Sequence, residues 1–85
     1  MKYAALELAG KGIRCNAVQP GRINTPLISN RLLSEEDVTK DIEQYPMKRY
    51  GKPEEVAHAI IYLLSDASAW VTGTNLVIDG GRSLK

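Results

Sequence analysis

Residues 13–27 read Ile13-Arg14-Cys15-Asn16-Ala17-Val18-Gln19-Pro20-Gly21-Arg22-Ile23-Asn24-Thr25-Pro26-Leu27. The first half has the composition of a buried strand. Ile13, Cys15, Ala17 and Val18 are apolar, in a run too short for a helix, and the strand is expected over Ile13–Gln19. The second half breaks it. Pro20 has no ladder N–H and a fixed φ. Gly21 allows a backbone shape or a close approach that a side chain would block. Thr25-Pro26 adds a hydroxyl and a second stop. In open α/β sheets, ligands bind where a strand's C-terminal end opens into such a loop.

The chain has 85 residues, which is one domain or part of one. Apolar residues make up 44% and charged residues 25%, the balance of a folded rather than a disordered chain. The net charge is +1 with no dominant basic cluster, which argues against a nucleic-acid partner. A single cysteine, Cys15, excludes a disulfide framework within these residues and favours a cytoplasmic location. No apolar run has membrane-spanning length, and residues 1–20 lack a secretion signal, so no membrane association is expected.

On either side of the strand the pattern is helical. Met1–Leu8 is rich in helix formers, with Leu6, Leu8 and Ala9 as an apolar side and Gly10 or Gly12 as its end. Having no capping residue before it, it reads as the back of a longer helix. Ser34-Glu35-Glu36-Asp37 resembles a capping box opening a sparsely apolar helix over Glu35–Gln44. Pro53 suits the first position of a stronger helix, Pro53–Leu64, with Glu54 and Glu55 at its positive end. Val56, Ile60, Leu63 and Leu64 form its apolar stripe. Ala67–Trp70 is expected to make a short turn, Asn75–Ile78 a second buried strand, and Asp79-Gly80-Gly81 its end. The order is helix, strand, lid, helix, strand. A strand–helix–strand unit of this length implies a parallel pair. The expected fold class is α/β, part of a larger parallel sheet, because two strands cannot cover themselves.

Four segments together resemble the C-terminal third of the short-chain dehydrogenase/reductase family. Ala5-Leu6-Glu7-Leu8-Ala9-Gly10-Lys11-Gly12-Ile13-Arg14-Cys15-Asn16-Ala17-Val18-Gln19-Pro20-Gly21 is similar to the family's end of helix and sixth strand. Thr25-Pro26-Leu27 resembles the start of its lid, and Arg49-Tyr50-Gly51-Lys52-Pro53-Glu54-Glu55-Val56-Ala57 the opening of its last long helix. Val71-Thr72-Gly73-Thr74 with Asp79-Gly80-Gly81 resembles its seventh strand and final turn. The resemblance implies the C-terminal part of a Rossmann-like, doubly wound parallel sheet, with residues 1–85 belonging to one NAD(P)-binding domain and 26–47 forming a substrate-lid segment.

The resemblance also implies hydride transfer between NAD or NADP and an alcohol or carbonyl. Pro20, Gly21, Ile23 and Thr25 match the nicotinamide-facing loop, where the Ile23 backbone and the Thr25 hydroxyl would bond the carboxamide. Leu27, Ile28, Leu32 and Leu33 fall in the substrate lid. The helix Pro53–Leu64 and the strand Asn75–Ile78 would form the interface of a homo-oligomer. The family's catalytic Ser, Tyr and Lys and its glycine-rich loop are implied upstream of Met1. No tyrosine here is followed by Lys four positions on, and there is no G-x-G-x-x-G. These residues alone are therefore expected to catalyse nothing. The contrasting expectation is a non-catalytic assembly module, or a truncated product without activity of its own.

Each local feature also has a plainer reading. Pro20-Gly21 is a strand-ending turn and Thr25 a cap for the next turn. Cys15 is a small buried apolar residue, and His58 is a surface or interface histidine without a second ligand. Lys48, Arg49 and Lys52 are solvated charges. Trp70 is an anchor at an interface or under the last strand.

Overall fold

A computed structural model describes residues 1–24 and 34–84. Among these residues three helices, α1 (Lys2–Ala9), α2 (Glu35–Ile42) and α3 (Pro53–Leu64), accompany two strands, β1 (Ala17–Pro20) and β2 (Asn75–Ile78). Short 3₁₀ turns occupy Asp66–Ser68 and Arg82–Leu84. The strands pair in parallel, with Ala17 opposite Asn75 and Pro20 opposite Ile78. The α/β class, the parallel pairing and the bounds of α3 and β2 agree with expectation. The expected contributions of Thr25, Leu27, Ile28, Leu32 and Leu33 lie outside the described residues.

The helix starts follow local chemistry. Ser34 Oγ accepts the Asp37 N–H at 3.1 Å, while Glu35, Glu36 and Asp37 fill the first turn of α2. Pro53 opens α3, where its missing N–H costs no hydrogen bond. Glu55 reaches back to accept the Lys52 N–H at 2.8 Å, one half of a capping box. α2 ends at Ile42, two residues short of the expected Gln44, and Gln44 and Tyr45 donate instead to Asp41 and Ile42 in tighter turns.

β1 begins at Ala17 rather than at Ile13. Gly12 takes φ +76°, and the Ile13 N–H returns to the Leu8 carbonyl, which closes α1 rather than opening a strand. Gly10 stays right-handed at φ −66°. Residues 15 and 16 then bond to the loop before β2. Cys15 N–H donates to Thr72 Oγ1 at 3.1 Å, and Gly73 N–H to the Cys15 carbonyl at 2.8 Å. The Asn16 amide spans the same loop, donating to the Val71 carbonyl at 2.9 Å and accepting the Thr74 N–H at 3.0 Å.

Arg14 terminates α3 from a distance of about fifty residues in sequence. Its Nη1 donates to the Leu63 carbonyl and to Ser68 Oγ, both at 2.9 Å, and its Nη2 to the Ser65 carbonyl at 3.3 Å. The last carbonyls of a helix lack intrahelical partners and carry its negative end, so a guanidinium there satisfies both needs. Ser68 is fully buried under this contact.

Burial departs from the expected stripe. Among the described residues the fully buried ones are Ala5, Tyr45 and Ser68. Val56 and Leu63 are half-buried, but Ile60 is exposed and Leu64 is 79% exposed. Two four-residue strands are too narrow to cover a twelve-residue helix. On α1 the inward residue is Ala5, within 3.6 Å of where a Cβ on Gly73 would sit, whereas Leu6 is exposed. Cys15 and Val18 are only half-buried, and Trp70, at 98% exposure, does not lie under the last strand.

Candidate functional site

Both strands end on the same side. Gly21 extends the ladder by one bond, its N–H donating to the Ile78 carbonyl at 2.9 Å. A Cβ on Gly21 would fall 2.9 Å from Asp79 Cβ and 3.1 Å from Asp79 Cα. The close approach expected of this glycine is therefore to the turn after β2. That turn is tightly held. The Asp79 carboxylate accepts the N–H groups of Gly81 and Ser83 at 3.0 and 2.9 Å, and Gly80 and Gly81 adopt φ +60° and +89°. Partial burial pushes the Asp79 carboxyl up. The Ser83 hydroxyl and the N–H groups of Ser83, Gly81 and Arg82 outweigh it and hold the group below its ordinary value.

Two residues further on, Ile23 forms a parallel bridge with Gly51. The bonds run from Gly51 N–H to the Arg22 carbonyl at 3.1 Å and from Asn24 N–H to the Gly51 carbonyl at 2.9 Å. In a parallel bridge of this kind the central residue's own N–H and C=O point the other way. The Ile23 peptide groups are thus turned away from residue 51. A Cβ on Gly51 would sit 2.8 Å from Ile23 Cδ1, the free end of that side chain, which would have to shift to admit it.

A ring of side chains surrounds this exit. Arg22 Nη1 pairs with Asp41 Oδ2 at 2.5 Å, and Tyr50 donates its hydroxyl to the same oxygen at 2.5 Å. Tyr50 meets Tyr45 edge-on at 6.1 Å and 88°, and the Tyr45 oxygen accepts the Arg22 N–H at 3.2 Å. The Arg22 guanidinium lies 6.0 Å from the Tyr50 ring centre. Tyr50's oxygen and then the Asp41 charge hold that guanidinium above its ordinary value. Burial, and then the bond to Asp41, push the Tyr50 phenol up. None of these four residues stood out in the sequence. Their hydrogen-bonded pairs lie 9 to 23 positions apart, beyond the reach of a helical or strand period.

Beside the ring is a cleft of about 290 Å³ bordered by Arg22, Ile23, Met47, Arg49, Gly51, Ile78 and Gly80, among others. Arg49 is exposed, as expected of a solvated charge, but it is also paired: it grips Glu55 with two bonds of 2.7 and 2.8 Å. That fork, with the Lys52 N–H second, lowers the Glu55 carboxyl to about 2. Arg22, Asp41, Arg49, Glu55 and Asp79 at this end each have a partner, and His58 is exposed on α3. The arrangement can hold and orient a ligand. It contains no nucleophile–base pair and, among the described residues, no cluster able to hold a metal ion. Pro20, Gly21 and Ile23 are brought together at the exit, and Thr25 lies outside the described residues. Nor is any helix among those residues long and apolar enough to cross a membrane.

A family model described as enoyl-(acyl carrier protein) reductase matches residues 1–83. Cyclohexanol dehydrogenase of Acinetobacter sp. (strain SE19) is 46% identical over 84 residues, covering 99% of this chain and 32% of that protein. A solved structure of 4-hydroxyisoleucine dehydrogenase complexed with NADH superposes with a TM-score of 0.90 at 31% identity, over 99% of this chain and 35% of that one. A short chain dehydrogenase family protein from Francisella tularensis subsp. tularensis SCHU S4 gives a TM-score of 0.87 at 35% identity, over 99% and 38%. The chain thus spans about a third of the length of the relatives it matches, and its α/β unit has the geometry of part of their Rossmann-like fold. With one family model covering nearly all its residues, and sequence and structure relatives agreeing, the chain belongs to the short-chain dehydrogenase/reductase family.

Proposed function

We propose that these residues are the C-terminal third of an oxidoreductase that moves hydride between NAD or NADP and a small alcohol or carbonyl compound. They contribute the nicotinamide end of the cleft and no catalytic acid, base or nucleophile. The observation that carries this reading is the exit of β1. Its glycine lies against the turn after β2, and the Ile23 peptide, bridged on one flank, turns its N–H and C=O to the other. A peptide so presented matches the donor and acceptor of a carboxamide. Bound nicotinamide supplies the hydride acceptor or donor. What the chain adds is orientation, fixing which face of the ring meets the substrate. Pro20 is the last residue of β1, and Gly21 makes the final ladder bond and admits the close approach. From the sequence, Thr25 is assigned to the same amide, and Leu27, Ile28, Leu32 and Leu33 to a lid within residues 26–47.

In this reading all 85 residues lie in one NAD(P)-binding domain that assembles as a homo-oligomer. The outer side of α3 supports the assembly, with Ile61 at 62% and Leu64 at 79% exposure, and β2 adds Val77. A cytoplasmic location is supported by the single, free Cys15. The test is to assay the complete protein carrying these residues for NADH- or NADPH-dependent turnover of alcohols and carbonyls, beside the isolated 85-residue chain. Activity in the complete protein and none in the chain is expected. Turnover by the isolated chain, or a complete protein that binds neither dinucleotide, overturns the reading.

A further inference from the structure

We propose that Arg22, Asp41, Tyr45 and Tyr50 form a clamp that sets the attitude of the Ile23 peptide, which makes Asp41 and Tyr50 positioning residues for the nicotinamide amide. This rests on the nicotinamide reading of the β1 exit. The ring begins and ends on Arg22. Its backbone N–H is bound to Tyr45, Tyr45 packs edge-on against Tyr50, and Tyr50 and the Arg22 guanidinium share one oxygen of Asp41. The residue after Arg22 is Ile23, and the residue after Tyr50 is its bridge partner Gly51. The Arg22–Asn24 segment is therefore strapped to Tyr50-Gly51 twice, once through side chains and once through backbone.

The energetics favour geometry over stability as the purpose of the ring. The Arg22 and Asp41 side chains are 45% and 30% exposed, and ion pairs this open to water contribute little to folding. A closed circuit of four side chains, however, removes the hinge freedom a loop would otherwise have. Orientation at a reacting centre tolerates errors of well under about 1 Å. Cutting the ring leaves the bridge to Gly51 and the Gly21 contact in place, and frees the peptide to rotate about them.

The experiment uses the complete protein and compares NADH with ADP-ribose, which lacks the nicotinamide; if the enzyme takes NADPH, the 2′-phosphorylated pair replaces them. Tyr50→Phe removes one hydroxyl, and Asp41→Asn removes the charge with little change of shape. Each is expected to weaken NADH binding by roughly tenfold and to lower kcat, leaving ADP-ribose affinity unchanged. Equal weakening of both ligands would mean a purely structural ring, and no change in either would mean an idle one. Both results overturn the proposal. Ile23→Pro deletes the N–H itself without removing any side chain of the ring. Unchanged NADH affinity in that variant would overturn the nicotinamide reading. Selective loss there, with Tyr50→Phe unaffected, would overturn the clamp alone.

Discussion

At the entrance of β1, polar side chains bond to backbone groups; at its exit they bond chiefly to one another. Arg14 and Asn16 together satisfy the carbonyls of Leu63, Ser65 and Val71 and the N–H of Thr74. The Ser68 hydroxyl also donates to the Leu63 and Ser65 carbonyls, at 3.0 and 3.1 Å, so Arg14 completes a helix end that Ser68 begins to cap, and the contacts are structural. At the exit, Arg22, Asp41 and Tyr50 close on themselves, and the Ile23 peptide is left facing outward. A side chain that fills a backbone vacancy contributes stability. A side chain that braces another contributes shape. The entrance is thus the end that holds the fold, and the exit is the end that can hold a ligand.

The sharpest way to break this distinction is at Arg14. Arg14→Met keeps the bulk of the stem but leaves the carbonyls of Leu63 and Ser65 and the buried Ser68 hydroxyl without their cation. The expected loss is about 3 kcal/mol in a urea unfolding series of the complete protein. A loss too small to shift the midpoint would mean that solvent replaces the guanidinium, and that the entrance is no more structural than the exit. Gly21→Ala comes next and qualifies the contrast, because this exit contact is a packing one. The new Cβ meets Asp79 Cβ and Cα, which cannot rotate away, so about 2 kcal/mol of overpacking is expected, read by the same unfolding series. Tyr50→Phe should cost less than about 1 kcal/mol. If it destabilises as much as Arg14→Met, the ring is a stabilising element and the division between the two ends fails.

The sequence made the entrance and exit legible to different depths. Pro53 and Glu54-Glu55 marked the start of α3, and Ser34 that of α2, because a cap depends on residues within one turn. The parallel pairing followed from the strand–helix–strand order. What was hidden depended on contacts across the chain. The Arg14 contact spans 49 residues to Leu63, so Arg14 reads as an ordinary charge inside a strand, and the strand itself reads as starting four residues too early. The stripe of α3 reads as core because periodicity reports what a helix could bury, whereas two short strands decide how much it does. Leu64 is the residue most affected. At the exit, Gly21 and Pro20 were legible because each has a conformational effect of its own. Arg22, Asp41, Tyr45 and Tyr50 were not, since the ring exists only once α2 has been brought back beside β1.

The smallest expected effect concerns the other guanidinium of the exit. Glu55 is lowered from 4.5 to about 2 by Arg49 and the Lys52 N–H. A carboxyl whose folded value is depressed binds its proton more readily in the unfolded chain. Its contribution is therefore complete above pH 4.5 and is lost as the pH falls from there toward 2. Asp79 shifts in the same direction, so the acid profile of the wild type alone does not isolate Glu55. Glu55→Gln does, because the amide oxygen still accepts the Lys52 N–H and only the charge opposite Arg49 is removed. The gap between the thermal midpoints of wild type and Glu55→Gln should be widest at neutral pH, narrow with acid and close near the folded value, and shrink at high salt, since the pair is open to solvent. A gap that stays constant with pH would show that Arg49 grips Glu55 for shape alone, and would place this fork with the Arg22 ring rather than with the Arg14 cap.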